Sequence, residues 1–297
     1  MKIVYASYVG GAPTVWLSDG TFAVRAKDIF ENLVEKDAEI DTFLSWTNLE
    51  HIEKLKDDVI AGHPNAVELR RLKLEAPVSK RSKIFCAAFN YRSHNAETQT
   101  NPPSAPYFFL KPTSALAGPF DQIIQPKISK KMDYEVELAV VIGRKAKYVE
   151  LNQALDVVAG YMVANDVSYR DYQFTEYNPD LARIGRDWVL GKALDTGFPA
   201  GPWIATRDET GDDPFELICR VNGKTVQNAS TADMIFDVPH LIARASQGIT
   251  LYPGDVISTG TPSGVALGGS QPYLKLGDVV EGEISRIGTI RNTVVSE

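Results

Sequence analysis

Glu135 and Glu137 stand two residues apart in the stretch DYEVELAVVIG, which otherwise has the apolar texture of a buried strand. In an extended chain residues i and i+2 share a face, so the two carboxylates fall about 6.5–7 Å apart on one side. Val136, Leu138, Val140 and Ile142 take the other side. A third acid, Asp166, closes the apolar run GYMVAN. An unpaired carboxylate at the end of a buried strand is costly and calls for a cation nearby. Together the three acids form a hard, all-oxygen, trianionic set. Such a set suits Mg²⁺ or Mn²⁺, with further positions left to water or substrate. Zinc is disfavoured, because no His or Cys stands in these motifs. The alternative pairs the glutamates with Lys or Arg at a sheet edge, and the i,i+2 spacing alone does not separate the two.

His94 and Glu97, in NYRSHNAE, are three residues apart, and one helical turn brings them side by side. A carboxylate that orients an imidazole makes a general base able to activate water near neutral pH. A solvated surface pair is the alternative. Lys192, in GRDWVLGKA, follows a glycine among apolar residues. A partly desolvated lysine there stabilises negative charge developing on oxygen, or serves as a structural ion-pair partner. The same stretch is a near miss for a phosphate loop. Five residues rather than four separate its glycines, and Ala193 replaces Ser or Thr, which argues against nucleotide binding. The glycine-rich STGTPSGVALGG, residues 258–269, offers backbone N–H groups and the hydroxyls of Thr259 and Thr261 to an anion such as a substrate carboxylate.

These residues need elements to hold them. Residues 1–75 read as a small α+β module: short strands in KIVYASYV and TVWLSDGTFAVRA, then helical stretches around Asp28 to Glu35 and Leu49 to Ala61. The segment LEAPVSKRSK reads as a linker, so the catalytic domain is expected over 76–297. From Ile84 onward short strands dominate: IFCAAF, YFFLK, EVELAVVIG, GDVISTG, GDVVEGEIS and GTIRNTVV. Between the first two, Asn90 to Pro106 has no core of its own and reads as a loop or lid. LNQALDVVAG is expected as a helix entering the strand GYMVANDVS. DVPHLIARASQG reads as a helix capped by Asp237 and stopped by Gly248, with His240 capping or packing near its start.

The net charge of −7 over 297 residues, with no dense basic stripe, argues against nucleic-acid binding. The two cysteines, Cys86 and Cys219, sit in apolar contexts and read as buried free thiols of a reducing compartment. The opening MKIVYASYVGG lacks the cationic head and apolar run of a secretory signal, and no apolar run reaches the roughly 20 residues needed to span a bilayer. A cytoplasmic protein without a membrane partner is the expectation.

Six motifs occur in one order: FNYRSHNAE, YFFLKPTSALAGP, DYEVELAVVIGR, GYMVANDVSYRDYQ, GKALDTGFPAGPW and GDVISTGTPSGV. From about Ile84 to the C-terminus the chain therefore resembles the fumarylacetoacetate hydrolase family, and residues 1–75 resemble the small variable domain that many members carry. The resemblance implies a mainly-β roll around a partly closed barrel, with α+β elements, usually as a homodimer. It implies Glu135, Glu137 and Asp166 as ligands of Mg²⁺ or Mn²⁺, and His94 with Glu97 as a water-activating dyad on a mobile lid. It further implies Lys192 beside the metal, and Arg170, Gln173 and Thr261 facing substrate. The sequence departs from the family pattern at CAAFNY, at Gly197, and in the longer segment from Thr175 to Trp188.

On this basis the expected activity is metal-dependent hydrolysis of a C–C bond in an acylpyruvate or related 2,4-dioxo acid. Decarboxylation or tautomerisation of oxaloacetate at the same metal-enolate site is the alternative. A protein that merely holds a cation is a third reading, against which the dyad and Lys192 both speak.

Overall fold

The strand Val136–Ile142 is buried along its whole length. It lies antiparallel to Val158–Asn165 on one side and to Val256–Ser258 on the other. Val136, Leu138, Val140 and Ile142 feed one hydrophobic core, whereas Ala139 and Val141 feed a second on the opposite face. A strand covered on both faces has to be apolar throughout, which is why the alternation fades after Glu137.

This computed structural model describes residues 1–30, 39–47, 52, 55, 57–211 and 213–297. The main sheet runs Val67–Glu68, Phe22–Arg25, Thr14–Ser18, Lys2–Ser7, Phe198–Thr206, Val158–Asn165, Val136–Ile142, Val256–Ser258, Ile84–Ala88 and Tyr107–Lys111. Two short strands, Lys73–Leu74 and Leu116–Ala117, pair off this path. A second sheet, Lys224–Ser230, Glu216–Val221, Val279–Ile284, Gly288–Ser296 and Ile123–Gln125, packs Leu217, Cys219, Val280 and Ile290 into the core beneath Val136 and Leu138. The result is a mainly-β roll with short helices. Its sheets stay open, and among the described residues none closes into a barrel.

Residues 1–75 enter the main sheet directly, with Lys2 and Ile3 pairing to Ala205 and Ile204. Ile3, Val15 and Leu17 share a core with Ala139, Ala200 and Val256. A chain starting at Ala76 would bare the hydrogen-bonding edge of Phe198–Thr206 and the apolar side chains behind it. It is expected to lose soluble yield and melt at a lower temperature; a truncated chain as stable as the full one would show that 76–297 folds alone.

Of the two expected N-terminal helical stretches, the helices Ala26–Ile29 and Asp57–Ala61 fall at the described ends and most of the remainder lies outside the described residues, while a further helix, Ile40–Trp46, forms between them where none was expected. LNQALDV forms a 3₁₀ run leading into Val158–Asn165. The helix Val238–Ala245 is capped by Asp237, which accepts from His240 N at 3.1 Å, and His240 Nδ1 returns to the same carboxylate at 2.6 Å. That helix has Ser246 as its C-cap, with the Ser246 hydroxyl donating back to Ala243 O at 2.9 Å, and the chain turns away through Gly248 at φ +80° two residues later. Asn90 to Pro106 begins better anchored than a bare loop. Tyr91 is fully buried, Asn90 donates to Phe236 O and Thr259 O, and Arg92–Glu97 is a helix. Cys86 and Cys219 are buried and free, and burial pushes both thiols up.

Candidate active site

Strand register builds the site. Val136 pairs with Asn165, so the next step outward sets Glu135 against Asp166, whose N–H donates to Glu135 O at 2.9 Å. On the other side Ala139 pairs with Ser258, which brings the Ser258 hydroxyl and the Gly260 N–H onto Glu137 Oε2. Oxygens of Glu135, Glu137 and Asp166 thereby lie within 4.8 Å of one another, all three residues buried.

Three cations pair with two of the acids, Glu135 and Asp166. Lys192 Nζ bridges Glu135 Oε2 at 2.6 Å and Asp166 Oδ2 at 2.7 Å. Lys111 Nζ donates to Asp166 Oδ1 at 2.6 Å and to Val167 O at 3.0 Å. Arg170 reaches Glu135 Oε1 through Nη2, Asp133 Oδ2 through Nε at 2.8 Å, and Gln173 Oε1 through Nη1 at 2.8 Å. The Lys and Arg pairing that was the alternative to a cation site is therefore present, though inside the sheet rather than at its edge, beside a triad that could also hold a cation. Burial opposes charge on Glu135, but Lys192 and Arg170 override it and hold the carboxyl well below its usual range. Glu137 behaves oppositely: burial, then the charges of Asp166 and Glu135, push its carboxyl well up. Among the described residues no cation touches Glu137, and its Oε1 takes no hydrogen bond. An all-carboxylate donor set with one oxygen left over fits a hard divalent cation such as Mg²⁺ or Mn²⁺.

All nine residues singled out from the sequence line one cavity of about 420 Å³. Their engagement differs from expectation in several places. His94 and Glu97 face each other at 3.9 Å, beyond hydrogen-bonding range, because both Glu97 oxygens accept from Gly264 N, at 3.1 and 3.0 Å. His94 Nδ1 is buried without a partner. Burial lowers the imidazole pKa to about 4; Glu135 opposes this shift, while Arg170 and Lys192 reinforce it. His94 is thus neutral at pH 7. Burial raises the Glu97 carboxyl, against the pull of the Gly264 N–H.

The His94 shift has a checkable sign. Its folded pKa of about 4 lies below the ordinary value of 6.5, so as pH falls the unfolded chain takes the proton first and folding is penalised. The penalty is absent above pH 7.5 and grows to about 1 kcal/mol at pH 5.5. His94→Gln is therefore expected to gain about that much stability relative to wild type between pH 7.5 and 5.5, read from urea midpoints. Identical pH slopes for the two proteins would show that the imidazole is not held neutral.

The glycine-rich loop 258–269 was expected to present its amides to an anionic ligand. Four of them instead serve the protein's own acids: Gly260 N on Glu137, Gly264 N on Glu97, and Ala266 N and Leu267 N on Asp133. Thr261 lines the cavity, but its hydroxyl donates to Val136 O at 2.9 Å and accepts from Gln227 Nε2 at 2.8 Å. The Arg170 guanidinium is likewise engaged inside the protein. Gln173 keeps its amide hydrogens uncommitted among the described residues, its Oε1 being taken by Arg170.

Two residues of the charge cluster escaped the sequence reading. Asp133 is fully buried and ties Arg170 to the loop 258–269. Its signal was the same i,i+2 spacing that linked Glu135 to Glu137, carried one step back. Lys111 lies behind Asp166, and its signal was alternation in YFFLK, which sets it on the face of Phe109, a cavity residue.

An open β-roll whose strand ends gather three carboxylates at a small buried cavity is the frame of an enzyme acting on small molecules. The profile described as fumarylacetoacetate (FAA) hydrolase C-terminal matches residues 83–295, and the chain belongs to the fumarylacetoacetate hydrolase family. A Bos taurus relative named mitochondrial oxaloacetate tautomerase FAHD2A is 45% identical over 222 residues, covering 74% of this chain and 68% of its own. The structure of 2-hydroxyhepta-2,4-diene-1,7-dioate isomerase from Mycobacterium marinum superposes with a TM-score of 0.75 at 32% identity, over 100% of this chain and 99% of that one. Fumarylacetoacetate hydrolase from Exiguobacterium antarcticum gives 0.80 at 29% identity, over 100% of both chains.

The cytoplasmic expectation is corrected by the bovine relative, which is named as mitochondrial. Free thiols and the lack of a long apolar run fit any reducing aqueous compartment, so those features never discriminated the cytosol from the mitochondrial matrix. Among the described residues no helix is long and apolar enough to cross a membrane.

Proposed function

We propose that this chain interconverts the keto and enol forms of oxaloacetate or a closely similar 2-oxo acid. The reading is carried by the meeting, in one cavity, of the carboxylate triad with a buried imidazole that is neutral and unpartnered. The name of the bovine relative supports it. Glu135, Glu137 and Asp166 would hold Mg²⁺ or Mn²⁺, whose charge would favour the enolate of a 2-oxo acid.

The chain's own residues account for the proton. His94 takes a proton from C3; the electrons of that C–H bond form the C2=C3 double bond, and the C2=O π pair moves onto the oxygen as the enolate forms. The imidazolium then returns the proton to that oxygen, giving the enol. Lys192 supplies a fixed positive charge beside the developing oxyanion. Arg170 keeps Glu135 aimed inward, and the Gln173 amide is left to bind substrate oxygen. Thr261 shapes the wall and holds the loop to Val136.

Hydrolysis of a C–C bond in an acylpyruvate is the second reading. It needs Glu97, which stands 3.9 Å from the His94 ring nitrogen on the same cavity wall, to turn from Gly264 N to the imidazole and so complete a water-activating base. With Mg²⁺ or Mn²⁺ present, the test follows oxaloacetate by C3 deuterium exchange and enol absorbance, and both oxaloacetate and acylpyruvates by pyruvate release. Exchange without pyruvate supports tautomerisation. Pyruvate from oxaloacetate points to decarboxylation, and pyruvate from acylpyruvates alone would replace the first reading by the second. The proposal extends to a homodimer, since Tyr107–Lys111 ends the main sheet with Tyr107 46% and Leu110 55% exposed. Light scattering that gives the mass of one chain would remove that part.

A further inference from the structure

Arg186 lines the same cavity and has no acid of its own. Its guanidinium carbon stands 4.7 Å from the ring centre of Phe89, 5.0 Å from Phe174 and 5.8 Å from Trp188. Among the described residues it makes no hydrogen bond or ion pair. The neighbouring acid, Asp187, is already occupied. Its Oδ1 caps the helix Trp188–Lys192 by accepting from Leu190 N at 2.8 Å, and its Oδ2 accepts from Tyr177 at 3.1 Å.

Aromatic faces attract the cation but accept none of its N–H groups in the manner of an oxygen. Three rings thus fix the position of the guanidinium while leaving its five donors for another partner. The mount is firm. Trp188 stacks on Phe109 at 4.7 Å, Asp187 N donates to Gln173 O at 3.1 Å, and Gly191 sits so close to Gln173 that a Cβ there would lie 2.6 Å from its Cα. The same short helix ends in Lys192, so the cation bridging the triad and Arg186 are carried on one segment. Arg186 is half-buried, and burial together with Arg170 lowers its pKa, which marks a cation short of anions. A structural strut held by aromatic rings alone is the competing account, and it leaves the donors to water.

We propose that Arg186 binds a second carboxylate of the substrate, remote from the 2-oxo acid end at the triad, and so selects 2-oxo dicarboxylates over 2-oxo monocarboxylates. A guanidinium takes a carboxylate through two parallel N–H···O bonds, which neither an alcohol nor a methyl group reproduces. The inference rests on the reading of the triad as a 2-oxo acid site.

The test is calorimetric binding to the Mn²⁺-loaded full chain, with oxalate, oxaloacetate and 2-oxobutanoate as probes, for wild type, Arg186→Met and Arg186→Lys. Oxalate is expected to bind all three proteins equally, since it has no remote carboxylate. Oxaloacetate is expected to bind Arg186→Met about 10- to 100-fold more weakly than wild type. It should then bind no better than 2-oxobutanoate, with Arg186→Lys intermediate because it keeps the charge without the fork. An equal loss for oxalate and oxaloacetate would make Arg186 a strut, and an unchanged preference for oxaloacetate over 2-oxobutanoate would also overturn the proposal. If wild type fails to bind oxalate, the 2-oxo acid reading itself falls and this inference falls with it. Failure of the parent reading is thus separated from failure at Arg186 alone.

Discussion

Glu137→Gln is expected to abolish divalent-cation binding and to lower kcat/KM by on the order of 10³, the equivalent of the several kcal/mol that a bound cation contributes to charge stabilisation. The cation-free fold should survive. Glu137 Oε2 takes the Ser258 hydroxyl and the Gly260 N–H, and an amide oxygen accepts both just as well. The new NH₂ group faces Glu135 and Asp166, where two carboxylates previously repelled a third. Melting without added cation should therefore be unchanged or higher, while the stabilisation by Mn²⁺ expected of wild type disappears. Retained cation titration and turnover in this variant would refute the assignment. Asp166→Asn is a poorer test, because it removes the negative charge shared by two buried ammonium groups at once, leaving Lys111 with no carboxylate partner among the described residues.

Lys111→Met should produce the largest loss of stability. Its side chain is fully buried, and Asp166 Oδ1 and Val167 O would both lose their donor. Removing one member of a buried ion pair typically costs about 3–5 kcal/mol. Lys111 does not line the cavity, so its influence on chemistry runs through the orientation of Asp166. Cation affinity is expected to fall about 10- to 100-fold, the usual effect of losing a residue that orients a ligand. Saturating cation should recover part of both stability and turnover. Lys192→Met, which removes a cation from the cavity itself, should regain stability under the same conditions but not turnover. Identical behaviour of the two variants would remove the distinction between a lysine behind the triad and one facing substrate.

The contrast between these lysines shows what sequence could and could not disclose. Glu135 and Glu137 were legible because strand periodicity is local, and Asp166 because an acid ending an apolar run is conspicuous. Lys192 stood out for the same reason. Lys111 did not, since its partner lies 55 residues away and nothing in YFFLK marks which strand its neighbour will be. Long-range pairing hid the fold in the same way. That short β strands dominate was plain, yet the union of Lys2–Ser7 with Phe198–Thr206 spans about two hundred residues and leaves no local mark. The loop 258–269 was recognised as a source of N–H groups, but which carboxylates they would meet depended on register alone. Arg186 was passed over because its meaning comes from three rings supplied by distant segments.

That loop has a consequence for anyone redesigning this protein. Because Gly260, Gly264, Ala266 and Leu267 fasten to three different acids, Glu137 and Glu97 in the cavity wall and Asp133 behind Arg170, an insertion there would disturb all of them together. Among the described residues, the segment from Phe174 to Trp188 makes no such attachments to the acids and contributes two rings, Phe174 and Trp188, and one uncommitted cation, Arg186, to the cavity wall. New substrate preferences should therefore be sought by diversifying that segment, with 258–269 left as a fixed chassis.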